Sequence, residues 1–438
     1  MVMLNKGLKF ESGECLCIEV LLATILICMG VSVPEVSYIA LAYCVICVAT
    51  RNDVTEIFIW LFFLLSFSEI FKPHVNATSF FTYLELIAVF KILWICHSAF
   101  SRKFLGTLIV WAFYLLVGSN LDINSAIKLM LLPMIVYFFV TEISYNGFKR
   151  VYVFYFAGVL LSSAVGYFKS YIPNMSQYVV MKDVNIGYNS DGFISVDRFS
   201  ALWGDPNYYS VHLILCLSIA VVLFAHKDVN TNLFIVLYGL GTVLGGMTGS
   251  KSFLLAYSFV SICLFILLLI NQQWKYALLI LVFLTGGFFL IISGKINIFS
   301  TVFKRLSTVS SVADATTGRT ELWIRYMKTI IDNPIKLLFG NGIGRGFTYT
   351  APHNTVIDFM DVFGMIGTGI FLIMIRTALK ASNIASKTKN YLPLIAITIL
   401  YIFLSMINSI DFAFELALAF GGLYISKNIK QSYIDSLY

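Results

Sequence analysis

The chain has 438 residues, of which 59% are hydrophobic and 12% are charged, with a formal net charge of +7. Soluble domains carry about 25% charged residues, so this composition excludes an ordinary soluble protein and indicates an integral membrane protein. The positive charge does not indicate a nucleic-acid surface, because much of it lies in short connections between apolar runs, where membrane topology places it.

Fourteen apolar runs are predicted to cross a membrane as helices, with twelve to fourteen as the range. Each approaches the ~20 residues that a helix needs to cross a hydrocarbon layer of ~30 Å, whereas barrel strands would alternate over ~10 residues. We therefore expect an all-α, polytopic membrane protein. In chain order the predicted spans are 15–31, 35–50, 54–71, 80–98, 105–118, 127–143, 151–171, 207–225, 232–247, 252–270, 276–293, 355–378, 392–408 and 412–426.

Lys and Arg in the short connections predict the orientation, because cytoplasmic loops retain positive charge. With the N-terminus inside, the short outer turns hold only Lys72, Lys128 and Lys251. We therefore expect both termini in the cytoplasm. The cytoplasmic set is Lys6, Lys9, Arg51, Arg102, Lys103, Lys149, Arg150, Lys227, Lys275, Arg376, Lys380, Lys387, Lys389, Lys427 and Lys430.

Two connections are much longer than the others, and both are predicted on the outer face. They divide the chain into spans 1–7 at 1–171, a loop at 172–205, spans 8–11 at 206–293, a second loop at 294–354, and spans 12–14 at 355–438. Long loops in a compact protein usually carry function. We expect the functional site on this outer face.

The second outer loop is strongly basic. Its acidic residues are only Asp314, Glu321 and Asp332. This excess of positive charge predicts an anionic ligand, with anionic lipid headgroups as the alternative. The basic residues are Lys295, Lys304, Arg305, Arg319, Arg325, Lys328, Lys336 and Arg345.

The stretch TTGRTELWIRYMKTIIDNP within this loop predicts a helix that stops at Asn333-Pro334. The helix is predicted to rest on the membrane surface through one apolar stripe, formed by Trp323, Met327, Ile330 and Ile331. FGNGIGRG at 339–346 then predicts a flexible turn, and only weakly a phosphate cradle.

His353 and Asn354 end the basic loop and open span 12. Neighbouring cations and the positive end of a helix favour a neutral imidazole, which can accept a proton. The alternative is that His353 caps the helix or meets headgroups. Asp358 and Asp361 follow within two turns, where a carboxylate needs a partner or water. They are predicted to pair with loop arginines, or Asp361 to share the role of base.

The glycines of G-x-x-G-T-G at 364–369 allow a neighbouring helix to approach closely. Together with His353-Asn354 nine residues earlier, however, they resemble the signature of the O-antigen ligase and polymerase superfamily, bacterial membrane glycosyltransferases that use polyprenyl-diphosphate-linked glycans. The resemblance covers roughly 198–370, and the N-terminal half matches only as a set of spans. Four more stretches resemble the family in the same order: RFSALWGDPNYYS at 198–210, TGSKS at 248–252, GRTELW at 318–323 and NPIKLLFGNGIG at 333–344.

The resemblance implies a GT-C-like fold in the bacterial inner membrane, with the site facing the periplasm. Cleavage of a glycosyl diphosphate develops negative charge, which a metal or fixed cations must stabilise. A metal cluster is not evident in the outer loops, so we expect no cofactor, with Arg198 and Arg319 on the diphosphate and His353 as general base. For the arginines, the alternatives are headgroup contacts or ion pairs with Asp197, Asp205 or Glu321.

Further residues are predicted to bind substrate. Lys251 departs from the family, which often has Arg there, and lysine lacks the bidentate fork. Asn207 and Asn354 are suited to hydrogen-bond sugar hydroxyls, and equally to cap helices. The full substrate-binding set is Asn207, Lys251, Arg325, Asn354, Asp358 and Asp361.

Three functions remain open at this point. A polymerase would move the growing glycan from undecaprenyl diphosphate to a lipid-linked repeat unit, and a chain-length regulator of the same pathway is left open as a partner. A ligase would move it to lipid A-core. A transporter of lipid-linked sugars would need ionisable groups mid-membrane, for which Lys91 in span 4, with Glu85 one to two turns earlier, is the candidate. Span number favours the polymerase.

Overall fold

The computed structural model describes residues 12–96, 100–117, 123–179, 184–189, 192–196, 198–225, 227–278, 280–281, 319–342, 352, 354–381, 392–405 and 412–422. Helices dominate these residues. His353 lies outside them, as does the second outer loop before Arg319.

Most of predicted span 276–293 lies outside the described residues, and each of the other predicted spans overlaps a helix. The first group is α1 (Ser12–Ser32), α2 (Pro34–Thr50), α3 (Val54–Leu65), α4 (Phe80–Cys96), α5 (Arg102–Val117), α6 (Ile123–Glu142) and α7 (Tyr145–Tyr167), then a 3₁₀ turn (Lys169–Tyr171) and α8 (Met175–Tyr178). The second group follows strands β1 (Val184–Asn189) and β2 (Gly192–Val196). It comprises α9 (Pro206–Ala225), α10 (Thr231–Met247), α11 (Lys251–Ile270), α12 (Arg319–Ile331), α13 (Pro334–Phe339), α14 (Thr355–Ala381), α15 (Leu392–Ser405) and α16 (Ala413–Gly422).

Length and surface both identify a membrane-embedded protein. Within the described residues, six helices are long and apolar enough to cross a membrane, namely α1, α6, α7, α9, α11 and α14. Large apolar side chains also face outward, with Trp94, Phe113 and Leu116 exposed by 74%, 67% and 69%. Water disfavours such a surface and lipid accommodates it. The helical membrane class is confirmed, while fourteen spans and a GT-C-like fold stay predictions.

Helices α3 and α9 lie at the centre of the bundle and are buried along nearly their whole length. Helix α3 packs tightly on α7, where a Cβ at Gly158 would lie 2.7 Å from the carbonyl oxygen of Phe63. Close-packed helices of this kind deform little. The N-terminal end of α9 is therefore a fixed support for the side chains around it.

The predicted span 54–71 is too long, since α3 ends at Leu65. The chain continues in turns, in which the N–H of Phe67 donates to the carbonyl of Leu64 at 2.9 Å. Phe67, Ile70 and Phe71 are nevertheless buried. Their apolar character reflects burial within protein, where irregular backbone is tolerated inside a membrane protein.

One short hairpin interrupts the helical architecture, and the sequence analysis did not anticipate it. Strands β1 and β2 pair antiparallel, with Val184 opposite Val196 and Asn189 opposite Gly192. The local signal is the sequence NSDG at 189–192, which is rich in turn-forming residues. The hairpin belongs to the connection between α8 and α9.

Helix α14 is broken at Gly364, which has φ 60° and ψ −170°. The break leaves the preceding carbonyls without helical partners, and the turn after α13 supplies new ones. The N–H of Asn341 donates to the carbonyl of Asp361 at 2.6 Å, and that of Gly342 donates to Val362 at 3.0 Å. These two backbone N–H groups of the Gly-rich turn therefore bind α14, so they do not form a phosphate cradle. The predicted uninterrupted span 355–378 is corrected to a broken helix.

The other side of the break packs on α5. The hydroxyl of Tyr114 donates to the carbonyl of Phe363 at 2.5 Å. A Cβ at Gly367 would lie 2.5 Å from the ring of Tyr114, so only glycine lets this ring reach the helix backbone. The glycine spacing thus does indicate close packing, as the sequence suggested, but its first glycine also breaks the helix.

We expect Gly364→Ala to destabilise the protein by at least about 2 kcal/mol. The positive φ disfavours a Cβ, and that Cβ would lie 2.5 Å from backbone atoms of Leu338 and Gly340. Thermal unfolding of the purified protein in detergent measures the effect. Gly369→Ala is the matched control, because a Cβ there meets nothing within 4 Å. Equal unfolding temperatures for the two variants would contradict the expectation.

Candidate active site

Arg198 is buried beside the start of α9, with 4% of its surface exposed. Its Nε donates to the carbonyl oxygen of Thr248 at 2.8 Å, and its Nη2 donates to Oδ1 of Asn207 at 2.9 Å. A buried cation is costly unless its donors are paired, and two bonds from different nitrogens fix the guanidinium plane. Arg198 is therefore a rigid cation at the N-terminal end of α9.

Asp205 and Asn207 organise that end of the helix. Oδ1 of Asp205 accepts from the N–H groups of Asn207 at 2.7 Å and Tyr208 at 3.3 Å, which caps α9. Oδ1 of Asn207 accepts from Arg198 and, at 3.0 Å, from the hydroxyl of Ser250. The cap is thus Asp205, and the side chain of Asn207 instead joins the arginine to the start of α11.

The loop between α10 and α11 closes the site from another side. Thr248 binds Arg198 through its carbonyl, and Ser250 caps α11 with its side chain while it contacts Asn207. Lys251 follows as the first residue of α11 and is half-buried. The predicted residues Arg198, Asn207 and Lys251 are therefore brought together at adjoining helix ends.

Arg319 begins α12 and lies near the same end of α9. Burial lowers the pKa of Arg319 from its usual value, and the charge of Asp205 acts in the opposite direction. An arginine stays protonated throughout the range in which proteins work, so the cation persists. Asp205, one of the partners that the sequence left open, thus acts on Arg319 through its charge. We call Arg198, Asp205, Asn207, Ser250 and Arg319 the arginine cluster.

A second polar cluster lies on α14. Asp358 and Asp361 are buried, with 4% and 9% of their surfaces exposed. Oδ1 of Asp361 accepts from Nδ2 of Asn341 at 2.7 Å, so its partner here is an amide of the Gly-rich turn instead of a loop arginine. Burial, with the charges of Asp361 and Asp358, raises the pKa of Tyr326 to about 12. The phenol of α12 therefore lies near both carboxylates and stays protonated.

His353 is outside the described residues, but both of its neighbours are described. The carbonyl of Pro352 accepts from Nε1 of Trp323 at 2.7 Å. Asn354 is buried, and its Oδ1 accepts from two N–H groups in the first turn of α14 at 3.0 and 3.3 Å. Asn354 thus takes the capping role that the sequence offered as the alternative to sugar binding.

Helix α12 forms where the sequence predicted it, and only part of its apolar surface is buried within the protein. Tyr326 and Ile330 are buried, whereas Met327 and Ile331 are 36% and 55% exposed. Met327 and Ile331 thus stay uncovered by protein, while Ile330 packs inside beside Tyr326, and contact of the stripe with the membrane surface stays a prediction. Arg325 is exposed, so it does not share the buried face with Tyr326.

No family model, curated protein or solved structure matches this chain. The resemblance to the O-antigen superfamily therefore rests on five short motifs in one order, and the activity that they imply is a proposal.

Sequence reasoning missed one buried polar network. His212 and Glu415 are fully buried, with Nε2 and Oε1 3.3 Å apart. The hydroxyl of Tyr155 lies 2.6 Å from Nδ1 of His212, and the ring of Trp203 stacks on the imidazole with centroids 3.7 Å apart. The hydroxyl of Tyr208 donates to Oε1 of Glu415 at 3.4 Å. A glutamate inside an apolar run was the available signal, since such a carboxylate needs a partner.

The described residues offer no grouped metal ligands. Within that part of the chain, no three His, Cys, Asp or Glu side chains are grouped so that they could hold a metal ion. The arginine cluster offers hydrogen-bond donors, which suit an anionic oxygen directly. The expectation of metal-free chemistry stays a prediction that chelation tests.

Proposed function

We propose that this chain is an O-antigen polymerase, which moves a growing glycan from undecaprenyl diphosphate to a lipid-linked repeat unit at the periplasmic face of the bacterial inner membrane. The observation that carries the proposal is the buried Arg198, held by Thr248 and Asn207 next to Asp205, with Arg319 close to the same carboxylate. Donors fixed before the reaction stabilise developing charge without reorganisation. The five family-like motifs, which contain both arginines, support the same activity.

In the proposed reaction, a hydroxyl oxygen of the acceptor sugar attacks the anomeric carbon that carries the diphosphate. The new C–O bond forms while the bond from that carbon to the diphosphate oxygen breaks, and the electron pair leaves with the diphosphate. Arg198 and Arg319 stabilise the added negative charge, and His353 takes the hydroxyl proton. The diphosphate is itself the leaving group, so the step needs no cofactor.

The positions of ionisable groups favour the enzyme over a transporter. Nζ of Lys91 lies 3.5 Å from Oδ1 of Asn52, in the connection between α2 and α3, so this lysine reaches a helix end. His212 lies in the second turn of α9. Transporters instead concentrate such groups near the membrane midplane. A reactive site at helix ends suits an enzyme that works at the membrane surface.

Polymer formation by the purified protein tests the proposal. Lipid-linked repeat units should be converted into a ladder of longer lipid-linked glycans, visible by gel electrophoresis, and EDTA should leave the rate unchanged. If EDTA abolished activity and Mg²⁺ or Mn²⁺ restored it, the proposal that the diphosphate leaves without a metal ion would be overturned. Transfer only when lipid A-core is supplied would identify a ligase. Movement of intact substrate across a bilayer, with no new glycosidic bond, would identify a transporter.

Labelling of single cysteines tests the orientation. With the native cysteines removed, Ser190→Cys and Ser310→Cys should react with an impermeant maleimide in whole cells whose outer membrane is permeabilised, because both positions lie in the predicted outer loops. Lys103→Cys, in a predicted cytoplasmic connection, is the matched control and should react only after lysis. The reverse pattern would place both long loops in the cytoplasm.

A further inference from the structure

A cavity of about 540 Å³ adjoins the arginine cluster. It lies between the connection of α3 and α4, helices α6 and α8, and the segment Trp203–Tyr208, which includes the first turn of α9. Asp205 lines this cavity and also caps α9 beside Arg198 and Arg319. Small-molecule sites typically have volumes of about 300–1,000 Å³. The cavity is thus large enough for a sugar unit, and it shares a wall with the proposed diphosphate site.

The lining combines aromatic rings with polar groups of both signs. Trp203, Tyr208 and Phe414 contribute rings, while Glu69, Lys72 and Gln177 contribute carboxylate, ammonium and amide groups. Nζ of Lys72 lies 3.8 Å from Oε2 of Glu69, so part of this charge is balanced within the wall. Sugar rings fit such a lining, because their hydroxyls both donate and accept and their C–H faces pack on aromatic rings. A polyanion or an acyl chain would meet unsuitable groups.

The aromatic wall is held in place from behind. Trp203 stacks on the imidazole of His212, whose Nε2 lies 3.3 Å from Glu415, and Tyr208 donates to the same carboxylate. The buried network thus orients both rings that line the cavity. Rings fixed before binding lose little conformational freedom when a ligand arrives.

Trp203 also carries an unused donor. Its side chain is buried, with 4% of its surface exposed, and Nε1 has no hydrogen-bond partner among the described residues. A buried donor without an acceptor is costly in an empty site. A ligand hydroxyl oxygen that reached Nε1 would satisfy this donor.

From these observations we infer that the cavity is a binding site for sugar units of the glycan, with Trp203 and Tyr208 as its stacking surface and His212 and Glu415 as positioning residues. The inference rests on the proposed function. The walls of the cavity include residues from α3, α4, α6 and α8 in the N-terminal half, so this half would take part in selecting the sugar.

Two probes separate the sugar site from the diphosphate site. Binding to the full-length protein in detergent is measured for oligosaccharide released by mild acid from the surface polysaccharide of the cells that make this protein, and for sugar-free undecaprenyl diphosphate. Trp203→Ala should weaken oligosaccharide binding by about 10- to 100-fold and leave binding of the diphosphate lipid unchanged. Arg198→Ala should do the opposite. Lys328→Ala, on the exposed surface of α12, should change neither.

Milder variants keep the test valid if Trp203→Ala fails to fold. Trp203→Phe keeps a ring but loses the N–H, and Gln177→Ala removes one amide from an exposed residue of the rim, so each should weaken oligosaccharide binding by about 2- to 10-fold. Glu415→Gln should do the same while the unfolding temperature stays near that of the parent.

Distinct outcomes bear on the inference and on the proposed function. Unchanged oligosaccharide binding in the Trp203 and Gln177 variants, or equal loss for both probes, would overturn the sugar site. Arg198-dependent lipid binding together with normal polymer formation would still support the polymerase in that case. Trp203-dependent oligosaccharide binding without any glycosyl transfer would leave the sugar site standing and refute the enzyme.

Discussion

Arg198→Ala should lower the rate of polymer formation by about 10²- to 10³-fold, as expected when one fixed donor to a developing negative charge is lost. The guanidinium is buried and bound to Thr248 and Asn207, so its donors are fixed before the reaction. Arg198→Lys should recover only part of the rate, because lysine offers a point charge in place of a planar fork. The rate is measured with purified protein and lipid-linked repeat units.

Arg319→Ala is expected to act in the same direction, since the charge of Asp205 links Arg319 to the same site. Lys328→Ala is the matched control, because it removes one positive charge from an exposed position of the same helix. If Lys328→Ala lowered the rate as much as Arg198→Ala, the net charge of the loop, and not a fixed donor, would explain the effect. That result would refute a specific role for Arg198.

His353→Ala should abolish chain extension, with a loss of at least about 10²-fold, because a general base that takes the proton from the acceptor hydroxyl contributes about that much to the rate. The protein should still insert and still bind lipid-linked substrate. In a strain that lacks the native enzyme, the lipopolysaccharide should then carry a single repeat unit if the protein is a polymerase. For a ligase, no O-antigen would reach the core.

His74→Ala is the matched control for this substitution, because His74 is exposed in a short predicted outer turn. It should give a normal ladder of chain lengths. A normal ladder from His353→Ala at parental expression would show that the proton goes elsewhere. Asp361 and Asp358 would then be tested next, since both are buried close to Tyr326 near the start of α14.

The sequence by itself determined the membrane class and the places of the helices. Span 207–225 corresponds to α9 at Pro206–Ala225, and span 252–270 to α11 at Lys251–Ile270. The physical reason is local: a membrane helix must bury its own apolar residues in lipid or protein and satisfy its own backbone hydrogen bonds. The sequence likewise predicted α12 from its stop at Asn333-Pro334, and the residues around Arg198 from a family-like motif.

Only the tertiary structure decided which helix ends meet. The bond from Arg198 to Thr248 and the approach of His212 Nε2 to Glu415 at 3.3 Å join residues that are distant in the chain. Helix α9 is apolar on every side, so no periodic pattern marks the face that receives a partner. A buried polar group finds its partner through packing, which hydropathy does not encode.

The break at Gly364 shows the same limit at a single residue. A glycine in an apolar run is compatible with a straight helix, and its positive φ is adopted here because the turn at Asn341 and Gly342 satisfies the freed carbonyls. The sequence determined that a neighbour could approach closely. The identity of that neighbour, and therefore the conformation of Gly364, depended on the packing of α13 and α5 against α14.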